Sequence, residues 1–185
     1  AFALEEDGRI ENQVKNEYRE LNLSNPPKFI WANSSAQARD IIGSEEDIDM
    51  IICMYNEQDK EIFPFASRLK DEGRGIPFIL LIHYSKAVRQ RVLESPHPGV
   101  DFVFSWHGNA DLILAIVKLL EDAANAENDV FEVGVKGILL VEDSIRYYSN
   151  YLPELYKIVL TQSREFLTES LNDDLTIYRK RSRPK

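Results

Sequence analysis

At 185 residues the chain exceeds an average single domain yet is short for two complete α/β domains, so one domain with a partial second unit is expected. Its apolar content of 44% and charged content of 29% exclude a disordered chain and predict a packed core. The net charge of −9 is unevenly spread, because the last seven residues, RKRSRPK, hold Arg179, Lys180, Arg181, Arg183 and Lys185; the rest is more acidic still, which excludes nucleic-acid binding through the main body.

That basic run reads as a solvated tail and carries no functional claim. The single cysteine, Cys53, lies in the apolar run IDMIICMY, so an intrachain disulfide is excluded and the residue reads as a small buried hydrophobe. No apolar run approaches the roughly 20 residues that cross a bilayer, and AFALEEDGR lacks the features of a signal peptide. A cytoplasmic protein with no membrane partner is the expectation.

Ile10, Val14, Tyr18 and Leu21 recur at helical spacing and predict one apolar face over about 5–22, stopped by Asn25, Pro26 and Pro27. KFIWANS then reads as a short strand, and SSAQARDII as a helix capped by Ser34 or Ser35. IDMIICMYN is a continuous apolar run of strand length and is expected at the sheet centre, buried on both faces. EIFPFASRLKDEG follows as a helix with Pro64 in its first turn and a stop at Gly73 and Gly75.

IPFILLIHYS is a second fully apolar strand, KAVRQRVLES a helix, and VDFVFSW a third strand. NADLILAIVKLLEDAANAEND is a long helix with Asn109 as its cap. This alternation predicts a parallel, doubly wound sheet with right-handed crossovers. The series opens with a helix where such a sheet opens with a central strand, so the first strand is read as missing from residues 1–130.

VKGILLVEDS supplies a strand with an acidic carboxyl end, followed by IRYYSNYLPELYKIVLTQSREFLTESL as one helix with Pro153 as a kink point. Tyr148, Leu152, Leu155, Val159 and Phe166 fall on roughly one face of it. Either 137–142 starts a second domain or it fills the gap in the first sheet, in cis or by exchange between chains. Tyr147, Tyr148, Tyr151 and Tyr156 add a tyrosine-rich contact surface, so a homodimer through strand 137–142 and helix 145–171 is one expected partnership.

The order of elements and the signature ILLVEDS, with Glu142, Asp143 and Ser144, resemble the receiver domains of two-component response regulators. The resemblance implies a flavodoxin-like fold in which an acidic pair binds Mg²⁺, an aspartate ending the third strand accepts phosphate, and a hydroxyl residue and a lysine on later strands read it. In residues 1–130 those places fall on Met54, Ile82 and Trp106. A thioether cannot accept a phosphoryl group, so this unit resembles a degenerate receiver. Asp59 is nearby but reads as a solvated loop residue.

The organisation so implied is a degenerate receiver at 1–130 lacking its first strand, a linker at 131–136, and the first strand and helix of a second receiver-like unit at 137–185. There Glu142 and Asp143 match the acidic pair, and the pair reads equally as a Mg²⁺ site or as acids that cap the following helix. The presumed phosphoacceptor strand of the second unit lies beyond Lys185.

The wording VEDSIRYYSNYLPELY, joined to an upstream degenerate receiver beginning near LEEDGR, also resembles the N-terminal region of proteins related to phosphoenolpyruvate synthase and pyruvate phosphate dikinase. This implies a regulatory piece acting by contact with effector domains of the same parent protein. The alternative is a Mg²⁺-dependent phosphoacceptor in a phosphorelay, or a fragment of a phosphotransferase. No Gly-rich phosphate loop is present; Gly134 and Gly137 only flank a strand start. His83, His97 and His107 show no zinc-ligand spacing and read as packing or turn residues, and no G-x-S-x-G elbow exists for a serine hydrolase.

Overall fold

The computed structural model describes residues 8–44, 47–83, 85, 88, 90, 92, 97–168 and 184. Among them are five α-helices and a three-stranded parallel sheet: α1 (Arg9–Glu20), α2 (Ser35–Ser44), β1 (Ile51–Met54), α3 (Ile62–Asp71), β2 (Phe78–Ile82), β3 (Phe102–Ser105), α4 (Ala110–Ala126) and α5 (Ile145–Thr168), with a π-helical turn, Glu127–Glu132, after α4. The mixed α/β class therefore holds. No described helix is long and apolar enough to cross a membrane.

Residue contacts divide the chain into two units, 1–10 with 28–108 and 11–27 with 109–185. A break at 130 differs from this division, because α4 packs with α5 in the second unit. The expected linker at 131–136 is also partly ordered: the π-helical turn reaches Glu132, and Val135 is buried with its amide donating to the Asp129 carbonyl at 2.8 Å.

The first unit is built on the sheet, in the order β1-β2-β3. Ile51 stands opposite Phe78 and Met54 opposite Leu81, while Ile79 faces Phe102 and Ile82 faces Ser105. β2 is the central strand and is buried on both faces, as its unbroken apolar run requires; IDMIICMYN was expected there, yet among the described residues β1 forms an edge. Phe78, Leu80 and Ile82 make one core with Ile42 of α2, with Ile62, Phe65, Ala66 and Leu69 of α3, and with Val92. Burial of side chains of this size stabilises by about 1.5–3 kcal/mol each.

Local signals set the helix ends. Ser34 Oγ accepts from the Gln37 amide at 3.2 Å, which makes Ser34 the cap of α2, and Asn109 accepts from the Asp111 amide at 2.8 Å to cap α4. At the end of α3 the Gly73 amide donates to Lys70 and the Arg74 amide to Leu69, and Gly73 takes φ +72°, a conformation that favours glycine. Gly99 sits against the backbone of Ala66 and Ser67, so α3 approaches this turn at a distance that leaves no space for a β-carbon.

Two expected strands are absent among the described residues. KFIWANS forms no strand: residues 28–32 are irregular, and Ile30 and Trp31 stay more than a third exposed, because a strand exists only where a neighbour receives its backbone hydrogen bonds. For the same reason 137–142 is not a strand; it runs without a ladder and belongs to no described sheet. The helix expected in KAVRQRVLES is described only at Val88, Gln90 and Val92, which are helical, and the start of the helix expected from residue 5 lies outside the described residues.

The second unit is helical. Val14 and Tyr18 of α1 are buried together with Leu21, as their spacing predicts. α4 is buried nearly all round, from Leu112 to Lys118, which suits a central helix. On α5 the buried face is Ser149, Leu152, Pro153, Tyr156, Val159 and Leu160, with Tyr148 and Leu155 only half-buried; the side chain of Phe166 lies outside the description. Pro153 lies inside the helix, which runs unbroken through it.

Candidate functional site

In a parallel sheet all carboxyl ends lie at one edge, so Met54, Ile82 and the residue after β3, Trp106, share that edge in the first unit. The ladder continues past the strands: the Tyr55 amide donates to Leu81 at 2.8 Å and the Trp106 amide to Ile82 at 2.8 Å. β1 and β3 are separated by one intervening strand, which places their backbones roughly 10 Å apart. Met54 is 7% exposed, Ile82 fully buried and Trp106 4% exposed. The edge is thus filled with apolar side chains where a phosphoryl site needs water, charge and hydroxyls.

The neighbouring polar groups are engaged in turns. Asp59 Oδ1 accepts from the Glu61 amide at 3.0 Å and its Oδ2 from Ser35 Oγ at 3.4 Å, so this loop acid holds the entrance of α3. Ser105 Oγ is 3.4 Å from His107 Nε2. His97 stacks on Phe63 with centroids 3.6 Å apart, and its Nε2 has no hydrogen-bond partner among the described residues; His83 is exposed. Burial pushes the Cys53 thiol up to about 11, so it remains protonated and a poor nucleophile at neutral pH.

The second place is the start of α5. The Tyr148 amide donates to the Ser144 carbonyl at 2.8 Å, the first bond of the helix, while Glu142 Oε1 accepts from the Ser144 amide at 2.9 Å. Glu142 is half-buried and Asp143 exposed. A carboxylate here is favoured by the partial positive charge of the helix N-terminus. Among the described residues no group of three or more His, Cys, Asp or Glu side chains could hold a metal ion. The Glu142–Asp143 pair therefore has no third donor of that kind beside it among the described residues.

Two polar clusters in the second unit escaped sequence reasoning. Tyr156 Oη donates to Asp122 Oδ2 at 3.1 Å with both residues buried, on the wall of a mainly apolar groove of about 330 Å³ between α4, 137–140 and α5. Lys118, only 5% exposed, reaches Glu121 Oε2 at 2.6 Å and lies 4.6 Å from the Tyr18 ring centroid. The only sequence signal was a charged residue interrupting an apolar helix face. Burial, with added repulsion from Asp111 and Glu20, raises the Glu17 carboxyl above its ordinary range, and burial alone raises the Tyr148 phenol.

The outer face of α5 is apolar in a different way. Tyr147 and Tyr151 stack with centroids 6.0 Å apart and are about half exposed, and Ile158 is 56% exposed. Just upstream, Leu139 and Val141 are more than four-fifths exposed. Surfaces of this composition suit protein contact.

Compared with known proteins, the chain matches no family model, no curated protein and no solved structure.

Proposed function

We propose that the chain is a receiver-like signalling module that has lost phosphoacceptor chemistry in its sheet-bearing unit and acts by protein contact. In this reading the three parallel strands are part of a doubly wound, flavodoxin-like sheet, and the module regulates effector domains of a larger, cytoplasmic protein related to phosphoenolpyruvate synthase. One observation carries it: Met54, Ile82 and Trp106 close the carboxyl edge of the sheet, all buried, where phosphoryl transfer needs a carboxylate, a hydroxyl and an ammonium. The half-exposed Tyr147 and Tyr151 supply a surface for contact.

The test is incubation of the protein with Mg²⁺ and radiolabelled acetyl phosphate, with beryllofluoride followed in parallel by amide spectra. The expected result is no incorporated label and no spectral change around Met54, Ile82 or Trp106. Stable labelling of residues 8–108 would overturn the reading. Labelling abolished by Asp143→Asn would install the alternative, a Mg²⁺-dependent phosphoacceptor at the start of α5.

A further inference from the structure

The groove between α4, 137–140 and α5 is built entirely from residues of the second unit. Leu119, Asp122 and Ala126 share one face of α4, and Tyr148, Leu152 and Tyr156 one face of α5, at the three- and four-residue spacings that bring helical side chains into line. The wall is apolar except for the Asp122 carboxylate and the two phenols, and no lysine, arginine or histidine lines it among the described residues. Its volume of about 330 Å³ falls at the lower end of small-molecule sites and suits a ligand of about ten to fifteen heavy atoms. Leu139, on the wall beside 137–140, is 87% exposed, so the groove opens to solvent.

The chemistry of the wall selects the ligand. A purely apolar molecule would press hydrocarbon against the Asp122 carboxylate, which costs free energy unless a polar group meets it. An organic acid would bring a second negative charge to that carboxylate, on a chain whose net charge is already −9. An ammonium group gains on both counts: it makes a charge-assisted hydrogen bond to a carboxylate, and aromatic faces attract it. Tyr156 Oη, 3.1 Å from Asp122 Oδ2, takes one of the roughly four acceptor positions of the carboxylate and holds it in place. We propose that the groove binds a small hydrophobic amine, with its ammonium at Asp122 beside Tyr156 and its aryl or alkyl body along Leu119, Leu152 and Leu155. Nothing in this site depends on the fate of the phosphoacceptor edge, because no residue of the sheet contributes to it.

Titration of the whole chain at neutral pH with phenylpropylamine, phenylpropanol and phenylpropanoate tests the assignment, since the three share a ring and chain and differ in the charge of the head group. Calorimetry reads the affinity and methyl chemical shifts read the place. The expected result is submillimolar binding of the amine, at least about fivefold tighter than the alcohol, no saturable binding of the carboxylate, and shifts confined to Leu119, Leu152, Leu155 and their neighbours in the groove. Asp122→Asn keeps an oxygen for Tyr156 Oη but removes the charge; it weakens the amine by roughly five- to twentyfold and leaves the alcohol unchanged. Ala123→Phe, at an exposed position on the groove wall, blocks both ligands while the helical circular dichroism stays that of the parent. Should Asp122→Asn fail to fold, the ranking of the three compounds on the parent and its loss in Ala123→Phe decide the matter. A carboxylate that binds as tightly as the amine, an amine affinity unchanged in a folded Asp122→Asn, shifts outside the groove, or no saturable amine binding at millimolar concentration each overturns the proposal.

Discussion

Asp101 joins three elements of the first unit, and its removal separates two kinds of electrostatic contribution. Its Oδ2 accepts from the Phe78 amide at 2.7 Å, both carboxylate oxygens lie within 3.0 Å of Lys70 Nζ, and its own amide donates to the Phe78 carbonyl at 2.9 Å. The Lys70 and Asp101 side chains are 30% and 33% exposed, so the ion pair is partly screened and contributes about 0–1 kcal/mol. The amide contact differs. Phe78 is 1% exposed, and stripping its N–H of a charged acceptor costs about 1–3 kcal/mol. Asp101→Ala therefore loses about 1–4 kcal/mol, most of it at the amide, whereas Lys70→Gln loses less than about 1 kcal/mol. Asp101→Asn keeps an oxygen in place and falls between them. Urea unfolding followed by circular dichroism reads these as shifts of the midpoint at constant slope. A Lys70→Gln loss equal to that of Asp101→Ala would refute the ranking and put the ion pair in control.

Gly99→Ala places a β-carbon on the Ala66 carbonyl carbon and the Ser67 amide nitrogen, backbone atoms that cannot rotate away, so α3 must shift; thermal unfolding is expected to register a loss of about 1–3 kcal/mol, and an unchanged midpoint would contradict the packing. Glu17 gives a pH-dependent case: burial first, then Asp111 and Glu20, hold its folded value above its unfolded one. Its ionisation thus works against the fold at neutral pH, and the effect disappears as pH falls through the folded value. Glu17→Gln should raise the melting temperature at pH 7 and leave it unchanged at pH below the ordinary carboxylate range; an increase that is the same at both pH values would assign the effect to something other than ionisation.

Periodicity made much of the architecture legible. The spacing of Val14 and Tyr18 marks the buried face of α1, the unbroken run FILLI marks a strand buried on both faces, and Asn109 and Ser34 mark helix starts through side chains that accept backbone N–H bonds. These are local consequences of side-chain chemistry, so a sequence contains them. The carboxyl edge was legible too, since in a parallel sheet the residues ending successive apolar runs must come to one side, which is where Met54, Ile82 and Trp106 lie.

Pairing was not legible in the same way. KFIWA and ILLV have the composition of strands, but composition names only a capacity to pair, and a backbone hydrogen bond needs a second segment in register. That is why the sequence places IDMIICMY at the centre of a sheet, whereas among the described residues it is an edge. The Asp122–Tyr156 contact, between residues 34 apart in the chain, and the Phe78–Asp101 bond likewise depend on which surfaces meet. By itself the sequence determined which segments are helical, which are apolar enough to be strands, and which side chains end them. Only the tertiary structure decided which strands have neighbours and which polar groups are buried in pairs, because both are properties of two distant segments at once.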